Sequence, residues 1–132
     1  MTHHLLDTTA SIDFSKRREP AYSRIVVLIA AEEDLGAWAV NVAEFYAGLR
    51  RDQRLHWAPL FFVLHYWDIT REAAQRAGVY RSTLARQGRA IATADALIAA
   101  VAVEVGATIV TSNVKDYAMA DVRLLPLLPS RT

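Results

Sequence analysis

Short apolar runs that alternate with helix-length segments predict an α/β protein, three layers deep (α/β/α) around a mostly parallel sheet. Three observations carry this. Apolar stretches of about four to six residues are each followed by a segment long enough for a helix. Two of the helical segments stop at glycine, Gly88 and Gly106, and the second stop leads straight into the β-branched run Thr108-Ile109-Val110-Thr111. Finally, 132 residues with 53% hydrophobic and 22% charged side chains suit one domain with a single buried core.

In order, residues 5–6 read as a short buried strand that stops where the polar residues Asp7-Thr8-Thr9 begin. Pro20 suits the first turn of a helix that runs to about residue 33, apolar along one side at Ile25, Leu28 and Ile29. Residues 36–40 read as a second strand, and Asn41 as the cap of a helix to about residue 51, with Gly48 a tolerated interruption. A helix over part of 55–63 is expected despite Pro59, then a third strand at 64–69 rich in aromatic and branched residues. Thr70 can cap the long Ala- and Arg-rich helix 71–87, and Thr93 the helix 94–105. Residues 108–111 give the clearest strand, with a last one near 122–125. The chain reads as a single domain, residues 1–132, with a loosely held tail from 126 to 132.

Composition narrows the chemistry. With 15 Lys+Arg against 14 Asp+Glu the formal charge is +1, so an anionic partner must be recognised locally. The absence of cysteine removes disulfides, thiolate metal sites and thiol nucleophiles. The four histidines lack metal-like spacing and read as surface or packing residues, Ser82 and Ser112 lack triad partners, and five glycines form no phosphate loop. No apolar stretch reaches the length of a membrane span, and the start of the chain has no leader pattern, so a cytoplasmic protein without membrane attachment is expected.

In an open parallel sheet ligands bind beyond the carboxyl ends of the strands. Asp7, Glu44, Asp95, Asn113 and Asp116 all fall there, whereas Glu32, Glu33, Asp34, Asp52 and Glu72 read as solvated. Asp95 stands out within Ala92-Thr93-Ala94-Asp95-Ala96-Leu97-Ile98, where a carboxylate needs a partner. A divalent cation would supply one, and Mg²⁺, which takes one or two carboxylates and keeps waters, fits best. Each residue also has a purely structural reading. Asp7 and Asp95 can satisfy helix-start amides, Glu44 lies three residues after Asn41 as in a capping box, and Asn113 and Asp116 suit a polar turn. Trp38, Trp57 and Trp67 read as core or interface residues, and an exposed Trp near the acidic edge would reopen base stacking.

Four segments in order resemble PIN-domain ribonucleases, in particular the VapC toxins of VapBC toxin–antitoxin pairs. Leu5-Leu6-Asp7-Thr8-Thr9 resembles the opening strand and first acid, and Asn41-Val42-Ala43-Glu44-Phe45-Tyr46-Ala47-Gly48 the second. Ala94-Asp95-Ala96-Leu97-Ile98-Ala99-Ala100 resembles the third, and Gly106-Ala107-Thr108-Ile109-Val110-Thr111-Ser112-Asn113-Val114-Lys115-Asp116-Tyr117 the closing strand and loop. The resemblance spans about residues 5–125. The chain departs from the pattern in two places: at Thr9-Ala10, where relatives more often carry Asn or Ser and then an apolar residue, and at Asn113, where many have Asp. Either Asn113 or Asp116, one helical turn later, can complete the site.

The resemblance implies a Mg²⁺- or Mn²⁺-dependent endoribonuclease with water as nucleophile. Asp7 and Asp95 would hold the metal, and Glu44, Asp116 and Asn113 would complete the catalytic set. It also implies an RNA substrate, a VapB-type antitoxin and a homodimer, the last consistent with apolar surface on helices 21–33 and 41–51 and on Trp38 between them. Thirteen of the fifteen cationic residues are Arg, and Arg50, Arg51, Arg54, Arg81, Arg86 and Arg89 are candidate phosphate contacts. Two competing readings are a catalytically weak RNA- or antitoxin-binding module of the same fold and a phosphoacceptor receiver domain. The latter requires a phosphorylatable Asp after the third strand, whereas Asp68 lies inside it.

Overall fold

The computed structural model describes residues 3–127, and within them all side chains except those of residues 60–63. The elements are β1 (His3–Leu6), α1 (Thr8–Ser15), α2 (Ala21–Ala30), β2 (Asp34–Trp38), α3 (Ala39–Ala47), α4 (Arg51–Val63), β3 (His65–Trp67), α5 (Arg71–Arg86), α6 (Thr93–Val105), β4 (Ala107–Thr111) and β5 (Arg123–Pro126), with a single 3₁₀ turn at Val114–Asp116. All five strands are parallel, in the order β3-β2-β1-β4-β5. The α/β/α class expected from sequence is therefore the architecture observed. The tail expected to be loosely held lies, beyond Leu127, outside the described residues.

Strand alternation explains the three layers. Leu5 pairs in register with Ile109 and Leu6 with Val110, and successive side chains on a strand face opposite ways. Leu5 and Ile109 join Trp38, Ala73, Ala77 and the buried side of α6 in one core; Leu6 and Val110 join Ala10, Ala21, Ile25 and Leu35 in the other. Helix α6 is buried nearly all round, from Ala96 through Ala102. Its alanines, facing Ala73 and Ala77 of α5, let the two helices pack closely.

Several local readings are corrected. Helix α1 follows β1 directly where only polar residues had been expected; Asp7 starts it by accepting a hydrogen bond from Ala10 N at 2.8 Å. Strand β2 ends at Trp38, and Asn41 is not the cap residue of α3 but its third residue. Its side chain reaches back to accept from Trp38 N at 2.8 Å and donates to Leu6 O, tying the ends of β1 and β2 together. Gly48 ends α3 and does not interrupt it, and α4 starts at Arg51 and runs through Pro59. The amide that Pro59 lacks would have served the carbonyl of Leu55, a residue on the exposed face of the helix at 82% exposure. Thr70 caps α5 as expected, accepting from Ala73 N, whereas the cap of α6 is Ala92 and Thr93 is already helical. Gly88 and Gly106 both adopt positive φ after their helices.

Trp38 is buried in the core and contributes no surface for association; the exposed apolar residues on α2 are Val26, Val27 and Ile29. Asp34 is not a solvated acid. Its carboxylate pairs with His3 Nδ1 and, at 3.1 Å, with His65 Nε2, stapling β1, β2 and β3 at the sheet edge opposite the acids. Among the described residues, no helix is long and apolar enough to cross a membrane.

Candidate active site

The carboxyl ends of β1 and β4 and the starts of α1, α3 and α6 converge on one cleft of about 380 Å³. All five residues expected from sequence, Asp7, Glu44, Asp95, Asn113 and Asp116, line it, together with Thr8, Thr9, Ile12, Trp38, Ala94, Ile98 and Tyr117. Parallel register does much of this. Leu6 lies beside Val110, so the next residues, Asp7 and Thr111, leave the sheet side by side.

Asp7 is 4% exposed, the most buried acid of the cleft. One carboxylate oxygen caps α1 and the Thr111 hydroxyl also bonds to it, yet burial outweighs both and raises its pKa, with the charges of Asp116 and Asp13 adding to the shift. Asp95, in the first turn of α6, is raised mainly by burial and then by the charges of Asp116, Asp7 and Glu44. Glu44 is exposed in the middle of α3, too far along for a capping box; instead it accepts from the Thr8 hydroxyl at 3.1 Å. Asn113 donates to the Thr9 hydroxyl at 3.2 Å and Asp116 closes the 3₁₀ turn. Tyr117 is buried beneath these acids, and its hydroxyl is driven far up by burial and by the charges of Asp7, Asp95, Asp116 and Glu44, so it stays a neutral donor.

Four carboxylates thus share a cleft whose lining, among the described residues, contains no Lys or Arg. Arg89 and Lys115 line a smaller recess of about 70 Å³ that shares Asp95 and Asp116 with the cleft. Sequence reading missed Thr8, Thr9, Thr111 and Tyr117. The first three adjoin a strand end or Asp7 and were legible as neighbours of the acid; Tyr117 carries no local signal.

A model of the PIN domain matches residues 4–122. Ribonuclease VapC19 of Mycobacterium tuberculosis is 32% identical over 120 residues, which span 87% of this chain and 92% of that protein. Among solved structures, VapBC2 from Rickettsia felis bound to a DNA fragment from their promoter gives a TM-score of 0.79 at 22% identity, covering 95% of this chain and 98% of that one. FitAcB from Neisseria gonorrhoeae gives 0.72 at 28% identity, covering 92% and 95%. With the parallel sheet, the converging acids and these matches together, the chain belongs to the PIN-domain family, in the company of VapC-type ribonucleases.

Proposed function

We propose that this chain, residues 1–132 acting as one domain in the cytoplasm, is an endoribonuclease toxin that hydrolyses RNA phosphodiester bonds with water and is held in check by a VapB-type antitoxin. The observation that carries the reading is the convergence of Asp7, Glu44, Asp95 and Asp116, from four separate parts of the chain, on one cleft without a cationic lining residue. Crowding four carboxylates together, two of them, Asp7 and Asp95, partly desolvated, costs stability, which a bound cation would offset.

The donor set fits a hydrated divalent cation. Every acidic ligand offers hard oxygen, and among the described residues no group of three or more His, Asp or Glu is gathered closely enough to enclose an ion. One or two direct carboxylates with water in the other positions is the habit of Mg²⁺ and of Mn²⁺. Asp7 and Asp95 are the holders we assign, because they are the two acids of the cleft whose charge burial disfavours and a cation would relieve. The chemistry that a bound cation supplies is Lewis-acid polarisation of the phosphate and acidification of water. Glu44, steadied by Thr8, and Asp116 are exposed and free to orient water and take its proton. Asn113 and the Tyr117 hydroxyl, neutral donors, can hold phosphate oxygens without adding charge.

The experiment is incubation of the purified protein with mixed RNAs in Mg²⁺, in Mn²⁺ and in EDTA. Internal cleavage with either metal and none in EDTA is expected. RNA binding without cleavage in any condition would point to a catalytically weak module instead. The relatives solved as VapBC support an antitoxin partner, and the homodimer that the family resemblance implies is tested by light scattering at tens of micromolar, where a monomer would contradict it.

A further inference from the structure

The smaller recess beside the cleft lies where the loop after α5 meets the 3₁₀ turn after β4. Its lining carries charge of both signs: Arg89 and Lys115, with Asp95 and Asp116, the two acids that also line the cleft. Backbone hydrogen bonds set where each cation starts. Gly88, at φ 75°, closes α5 in a left-handed turn in which its own amide donates to Ala85 O at 3.0 Å and the Arg89 amide to Leu84 O at 2.8 Å. Lys115 is the middle residue of the 3₁₀ turn, where the amides of Asp116 and Tyr117 donate to Asn113 O and Val114 O at 3.0 and 3.1 Å. Neither turn depends on the cationic side chain it carries.

Both cations are exposed, and the fold leaves them free. The ion pairs of the described residues involve other groups, and among those residues Arg89 and Lys115 form no side-chain hydrogen bond. Opposite charges thus line one recess without closing on each other. At about 70 Å³ it falls well below the about 300–1,000 Å³ of a pocket for a drug-sized molecule, so its occupant is a small group and not a nucleobase. Two free cations select a negative one, and the fork of an arginine beside the point charge of a lysine suits the oxygens of a phosphate.

Continuity with the cleft chooses among anions. A strand seated with one phosphodiester at the four acids carries the next one beside it, and the recess meets the cleft at two shared residues. We propose that the recess binds the phosphodiester adjoining the scissile one, with Arg89 and Lys115 as its contacts, so that the protein engages two consecutive phosphates of the strand. The proposal rests on the ribonuclease reading above. Arg89 was among the candidate phosphate contacts in the sequence, whereas Lys115 was not.

The test uses the full chain and an oligoribonucleotide whose cut is mapped in Mn²⁺, then remade with a neutral methylphosphonate at the linkage on one side of the cut or the other. On one side the neutral linkage should raise the wild-type KM about 10-fold with kcat within about twofold. The Arg89→Gln/Lys115→Gln double variant should show a similarly raised KM on the ordinary strand and no further rise on the neutral one. Anisotropy in EDTA adds a readout without turnover: the slope of log K against log salt should be shallower by about 0.7 for each cation removed, about 1.4 for both. Arg89→Lys, which keeps the charge, should keep the slope. A neutral linkage that costs the double variant as much as the wild type would overturn the proposal, as would an unchanged slope in that variant. So would an Arg89→Lys slope as shallow as that of Arg89→Gln, the mark of a disturbed loop, or loss of binding to a partner antitoxin with RNA parameters intact. A wild-type protein that binds but cuts no RNA refutes the ribonuclease reading and leaves the salt slopes legible.

Discussion

Asp7 has two jobs that one pair of substitutions separates. Its Oδ1 accepts the Ala10 amide at the start of α1, and its charge is one of four in the cleft. Asn is as good a helix cap as Asp, so Asp7→Asn keeps the cap and removes one of the four charges, while Asp7→Ala removes both and gives up about 1 kcal/mol of capping. In EDTA at neutral pH, Asp7→Asn should melt at or above the wild-type temperature and Asp7→Ala about 4 °C below Asp7→Asn. Metal reverses the order. At a Mn²⁺ concentration 100 times its Kd, the wild type gains about 2.7 kcal/mol, or about 10 °C in a domain of this size, and both variants lose that gain together with RNA cleavage.

The pH dependence has a definite sign. Burial raises the Asp7 pKa above its ordinary 3.8, so between that value and the raised one the folded protein holds more protons than the unfolded chain. Wild-type stability in EDTA therefore falls as pH rises through this window, and the advantage of Asp7→Asn vanishes as the pH is lowered to about 4. Circular dichroism melts across pH, with and without Mn²⁺, measure all of this. An Asp7→Asn protein that melts well below wild type in EDTA and still shows the full Mn²⁺ shift would make Asp7 a helix cap and nothing more.

Three further outcomes follow from other parts of the molecule. Asp116, whose charge acts on both Asp7 and Asp95, should matter more than Asn113: cleavage measured against Mn²⁺ should fall on the order of 10²-fold in Asp116→Ala, less in Asn113→Ala, and be tolerated in Asn113→Asp, whereas a fully active Asp116→Ala beside a dead Asn113→Ala reverses the assignment. A Cβ at Gly36 would stand 2.2 Å from a ring carbon of Trp67, so Gly36→Ala should cost about 1–3 kcal/mol in urea unfolding, and a loss below about 0.5 kcal/mol would show that β3 yields freely. Thr70→Ala removes the α5 cap and should cost about 1 kcal/mol without changing cleavage, since Thr70 is absent from the cleft lining; an activity loss would contradict that separation.

What was legible in the sequence depended on how local its cause is. Helices α5 and α6 and strand β4 were readable because periodicity, β-branched runs and the glycine stops are contained in a few consecutive residues. The five acidic and amide positions of the cleft were readable because a parallel sheet sends every strand end to the same edge, whatever lies between. Helix α1 was not, since Thr8-Thr9-Ala10-Ser11-Ile12-Asp13-Phe14-Ser15 has weak apolar periodicity and opens directly on the strand-ending acid, which resembles a polar break. The Asp34 cluster was illegible for another reason. His3, Asp34 and His65 meet only through the register of three strands, with Asp34 separated from each histidine by 31 residues.

The distribution of charge also constrains how a polyanion can approach. Four acids without a lining cation repel a phosphate backbone, so the cleft by itself gives an RNA strand no electrostatic reason to enter. Cations lie to the sides: Arg89 and Lys115 in the recess that shares Asp95 and Asp116, and Arg17 in a recess between α1, α2 and α4 that Ser15 also lines. Binding and chemistry are thereby assigned to different surfaces, with α1 spanning the two. Strand affinity should then be set largely by salt-sensitive contacts outside the cleft, and seating of the scissile phosphate by neutralisation within it. Raising the salt should weaken RNA binding in EDTA as steeply as in Mn²⁺, because the flanking cations are the same in both. A salt slope that appears only with Mn²⁺ would mean that the cleft itself, once neutralised, carries the strand.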